Sequence, residues 1–84
     1  MIPVYSVTIE QARTPVGLRY VYVLILDAAS GRRWRSERLF VGYHARGEAR
    51  VHAARVRHAL KQGANPRHST KWRELPSARE ERAA

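Results

Sequence analysis

Four histidines, His44, His52, His58 and His68, are the side chains of this chain best suited to move a proton near neutral pH or to hold a metal ion. Either task needs partners. A helical metal site wants two histidines four residues apart on one face, and acid-base chemistry wants a carboxylate within reach. None of the four stands four residues from another, His52 and His58 fall on different sides of a helix, and no carboxylate cluster accompanies them. The chain has no cysteine, which excludes a disulfide scaffold and a cysteine-type zinc site and fits a reducing compartment. Gly42-Tyr43-His44-Ala45-Arg46-Gly47 lacks the Lys-Ser/Thr ending of a phosphate-binding loop, so its glycines read as turns. The expectation is a non-enzymatic protein with no catalytic residue, no metal and no cofactor.

Cations are the other chemistry available. Lys and Arg number 16 against 7 Asp and Glu, a formal charge of +9, and 14 of the 16 are Arg. A guanidinium fork matches phosphate oxygens and guanine edges, so a chain this basic is drawn to nucleic acid or to acidic protein surfaces. The charge is concentrated: residues 32–61 carry nine cations against Glu37 and Glu48, a net +7 in the middle of the chain. Within that stretch, Arg32, Arg33, Arg35 and Arg38 lie on a predicted hairpin, and Arg50, Arg57 and Lys61 project on one flank of a predicted helix. These seven are the candidate nucleic-acid contacts, and Trp34 and Trp72 are the candidate contacts for a partner.

The elements that carry them follow from periodicity. Val4 to Gln11 alternates, with Tyr5, Val7 and Ile9 on one side, as a half-buried strand does. Thr14-Pro15-Val16-Gly17 interrupts it. Leu18 to Asp27 is apolar on both faces and belongs in the middle of a sheet. Ala28 to Gly31 makes a hairpin turn, and a third strand is expected from about Arg32 to Tyr43. Its register is open: with Trp34 and Phe40 inward, Arg33, Arg35 and Glu37 point away from the helix, whereas the opposite register buries Leu39 and Val41. A bulge near Ser36 is a third solution, exposing Arg33 and Arg35 while Leu39 and Val41 face the core. Ala49, Ala53, Val56 and Leu60 then form a narrow helical stripe, opened by Glu48 and closed by Lys61, Gly63 and Pro66. The predicted fold is α+β, a three-stranded antiparallel sheet with one main helix on one face (βββα) and an irregular C-terminal segment. Residues 1–75 are expected to form one domain and 76–84 a polar tail, with a short helix starting at Ser77 and Glu80 as its one structural option.

The basic hairpin Gly31-Arg32-Arg33-Trp34-Arg35, the strand ending Leu39-Phe40-Val41 and the helix opened by Glu48-Ala49 together resemble the AP2-like domain at the N-terminus of phage-type integrases. That family binds arm-type DNA sites through its sheet. Over residues 4–62 the resemblance implies a stand-alone DNA-binding role centred on Arg33 and Arg35, without recombinase chemistry. In size and strand-helix layout the chain is also similar to small phage anti-CRISPR proteins, which implies an inhibitor that binds a host nucleoprotein effector by a route other than acidic mimicry.

One feature complicates a simple groove-binding sheet. The second strand offers Val21, Val23 and Ile25 on one side and Tyr20, Tyr22, Leu24 and Leu26 on the other, and one helix covers only one of them. The second cover is the Trp72 segment, a second copy in a homodimer, or a protein partner. No run is long enough to cross a membrane, and the N-terminus lacks a secretory pattern, so a cytoplasmic location is expected, with duplex DNA as the leading partner.

Overall fold

A computed structural model describes residues 4–76; the expected polar tail and its Ser77 helix start lie outside the described residues, apart from Pro76. The chain runs β1 (Tyr5–Arg13), β2 (Arg19–Asp27), β3 (Arg33–Ser36), α1 (Ala45–Lys61), a 3₁₀ turn (Pro66–His68) and β4 (Trp72–Leu75). The four strands form one antiparallel sheet in the order β1-β2-β3-β4. The fold is α+β as expected, but the sheet has a fourth strand where an irregular segment was predicted. β4 gives β3 a second neighbour, with Trp34 opposite Glu74 and Ser36 opposite Trp72.

Alternation decides which residues meet the helix. β1 places Val7 in the core with Tyr5 and Ile9 packed against it, and β2 adds Val21, Val23 and Ile25. From α1 come Ala45, Ala49, Ala53 and Val56, with Leu60 at the margin. Ala49 and Ala53 are fully or almost fully buried, and their small side chains let the helix axis approach the sheet closely. Trp34 fills the remaining depth, with Tyr5 edge-on to it at 6.3 Å between ring centroids.

The helix starts at Ala45, three residues before Glu48, and so absorbs part of the Gly42 to Gly47 turn. It stops where Gly63, at φ +96°, lets its own N–H bond Leu60 C=O (3.1 Å) and Ala64 N–H bond Ala59 C=O (3.0 Å), the Schellman closure that a glycine at this position favours. No helix among the described residues is long and apolar enough to cross a membrane.

The third strand departs most from expectation. It ends at Ser36, and pairing with β2 resumes only as a single bridge, Val21 to Phe40. Leu24 lies opposite Arg35, so three steps back along β2 correspond to five steps forward from β3, an insertion of two residues. Ser36 spans the gap. Its buried hydroxyl accepts from Val23 N–H (3.0 Å) and donates to Arg38 C=O (2.8 Å), replacing ladder bonds that the loop cannot make. The register therefore has Trp34, Ser36 and Phe40 inward; Leu39 and Val41 are exposed, contrary to the solution in which a bulge buries them.

At the β2-β3 turn, Asp27 accepts from Ala29 N–H (3.0 Å) and from the Ser30 hydroxyl (2.8 Å). Burial alone pushes its carboxyl upward, and these bonds, with backbone donors from Val4 and Ser30, outweigh that and hold it below the ordinary value.

Ser36→Ala leaves the Val23 N–H without its buried acceptor. A loss of about 1–3 kcal/mol of stability is expected in urea unfolding, with the slope of the transition unchanged. A loss below about 0.5 kcal/mol contradicts the role given to this hydroxyl.

Candidate nucleic-acid interface

The sheet face that α1 leaves open is assembled from every second residue of the four strands. β1 contributes Ser6, Thr8, Glu10 and Ala12; β2 contributes Tyr20, Tyr22, Leu24 and Leu26; β3 contributes Arg33 and Arg35; β4 contributes Arg73 and Leu75. Leu26 lies between Ser6 and Arg33, and Leu24 between Thr8 and Arg35. Arg35 and Arg73 are direct cross-strand partners. Like charges in that relation oppose pairing, and a nearby anion relieves the cost.

Local bonds orient these cations. Arg33 Nη2 donates to Pro76 C=O, and Arg35 Nη1 donates to Ser36 C=O at 3.2 Å. Arg73 Nε stands 3.6 Å from Glu37 Oε1, both side chains largely solvated, a pairing that contributes little. Tyr22 lies within the field of the group. Burial raises its hydroxyl above the ordinary tyrosine value, Glu10 and Tyr20 add to the rise, and Arg33 and Arg35 oppose it. Tyr20 and Tyr22 are adjacent along this row, their ring centroids 6.1 Å apart.

The other candidate residues lie elsewhere. Arg32 points to the helix side of the sheet, where its Nε meets Glu74 Oε1 at 3.0 Å. Arg38, in the loop after β3, sits over the Phe40 ring, 5.0 Å from its centroid. Arg57 Nη2 reaches over the edge strand to donate to Val7 C=O (2.8 Å), and Arg46 Nη2 likewise meets Gln11 Oε1 (2.9 Å). These bonds tie α1 to the free edge of β1, which otherwise offers its backbone to another strand. Lys61 shares with Arg57, Tyr5 and Leu60 a cleft of about 500 Å³ beside that edge, and Arg50 is exposed on the helix. The hairpin cations are therefore split between the layers: Arg33 and Arg35 lie on the open face, whereas Arg32 and Arg38 lie on the helix side with Arg50, Arg57 and Lys61.

Two tryptophan expectations change. Trp34 is 2% exposed and forms the centre of the core, so a partner cannot reach it. Trp72 is half-buried on the helix side, its ring parallel to His52 at 6.2 Å, and does not cover the open face. Arg73, Tyr20 and Tyr22 are the open-face residues absent from the candidate set; the outward row of β2 was visible in the sequence, but Arg73 became apparent only with the pairing of β4. Compared with family models, curated proteins and solved structures, the chain matches none.

His52 lies between Phe40 and Trp72. Burial lowers its pKa below 6.5, and Arg38, Arg55 and Lys71 lower it further. The folded protein thus takes up this proton less readily than the unfolded chain. The His52 contribution to stability is complete above about pH 6.5 and is lost as pH falls from there through the depressed value. Melting temperature is expected to drop across that window in the wild type and to drop less in His52→Gln; equal slopes in the two proteins contradict the assignment.

Proposed function

We propose that this chain is a nucleic-acid-binding module, non-enzymatic and acting in the cytoplasm, whose contact surface is the sheet face opposite α1. The observation that carries the reading is the placement of Arg35 directly opposite Arg73, with Arg33 alongside, on the face the helix leaves open. Glu37 offsets Arg73 only weakly through solvent, and phosphates add anionic charge at a spacing that several guanidinium groups can share. The resemblance to the AP2-like domain supports the same surface, because that family binds DNA through its sheet; the fourth strand is a departure from the three-strand layout on which the resemblance rests.

A second reading is favoured by the exposed Leu39, Val41 and Tyr43. Apolar side chains in solvent at one end of a sheet suit a protein partner, as in an inhibitor of the anti-CRISPR type bound to a nucleoprotein effector. That reading predicts a complex with a purified effector that survives high salt.

The nucleic-acid reading is tested by binding measured across a salt series with Arg33→Ala/Arg35→Ala and Arg50→Ala/Lys61→Ala. Loss of two phosphate contacts is expected to weaken binding and to reduce the log-log salt slope by about 1.4–1.8 in the sheet variant. The helix variant is expected to keep its slope. Salt-insensitive binding, or no binding at low salt, overturns the reading.

A further inference from the structure

The open face is not uniformly polar, and its apolar part says what form of nucleic acid suits it. Beside the arginines, β2 presents Leu26, Leu24, Tyr22 and Tyr20 in one row, and Leu39 and Val41 flank the inward Phe40 at 43% and 67% exposure. Same-face residues on a strand are about 6.7 Å apart, so the outward row of β2 is about 20 Å long. Its Leu half lies against Arg33 and Arg35, and its Tyr half extends beyond the end of β3.

Three occupants compete for such a surface. A duplex keeps its base faces stacked inside and presents phosphate rails and polar groove edges, which satisfy the arginines but leave the Tyr-Leu row against polar groups. A second copy laid face to face covers the apolar row but brings Arg33, Arg35 and Arg73 of both chains together, three cations against Glu10 and the weakly paired Glu37 from each chain among the described residues of this face. A single strand meets both demands, since unstacked bases offer flat apolar faces to tyrosine rings while their phosphates reach the arginines.

Resting on the nucleic-acid reading above, we infer that the preferred ligand is single-stranded nucleic acid, lying along β2 with bases on Tyr20 and Tyr22 and phosphates held by Arg33, Arg35 and Arg73. A footprint on the order of four nucleotides is expected.

The test is fluorescence anisotropy of the full chain with a labelled oligo-dT strand of about twelve nucleotides and a mixed-sequence duplex of about the same length, at one salt concentration. The strand is expected to bind about tenfold tighter than the duplex. Tyr20→Leu/Tyr22→Leu is expected to lose about tenfold for the strand with little change for the duplex, and Tyr22→Phe to bind as the wild type does. Equal or tighter duplex binding, or an unaffected Tyr-to-Leu variant, overturns the single-strand inference while the broader reading stands. Failure of both ligands at low salt overturns both. A sedimenting dimer that Tyr20→Leu/Tyr22→Leu converts to monomer also overturns the inference, by giving the face to a second copy.

Discussion

β2 presents Val21, Val23 and Ile25 to one side of the sheet and Tyr20, Tyr22, Leu24 and Leu26 to the other, and one helix buries only the first set. Much of the molecule follows from how that imbalance is handled. On the closed side, alanines bring α1 close and Trp34 fills the depth between the layers. On the open side, no described element lies over the row; β3 and β4 supply Arg33, Arg35 and Arg73, and β1 supplies mainly polar residues.

The short third strand is part of the same arrangement. If β3 continued in register along β2, Arg38 would take the core position opposite Val21 that Phe40 fills. The two-residue insertion after Ser36 instead ends the ladder early, brings Phe40 into the core and leaves Leu39 and Val41 in solvent at the Tyr end of β2. Ser36 makes this possible by giving the interrupted ladder a side-chain acceptor and donor. On the helix side, Arg57 and Arg46 bind β1 rather than projecting freely, which reduces that flank as an independent binding surface.

Periodicity made β1, β2, the helical stripe and the two-sided character of β2 legible, because each spans several repeats of a period-2 or period-3.6 pattern. The outward orientation of Arg33 and Arg35 was one of the registers the sequence left open, and the burial of Trp34 and Phe40 selects it. β4 was not legible. Its four residues, Trp72-Arg73-Glu74-Leu75, place a carboxylate on the inner side, opposite Trp34, where it pairs with Arg32, so the usual apolar alternation is absent. Arg73 was missed as a consequence. Trp34 was misassigned as a partner contact because residue type alone does not separate a core tryptophan from an interface one.

The central claim is that ligand is held on the sheet face and not on the helix. Backbone and guanidinium chemical-shift mapping during titration with single-stranded oligonucleotide tests it most directly. The account predicts that perturbations concentrate on β2, β3 and β4, including the side chains of Arg33, Arg35 and Arg73, while Arg50, Arg55 and His58 on α1 stay unchanged. Perturbations concentrated on α1, with the sheet silent, would contradict it.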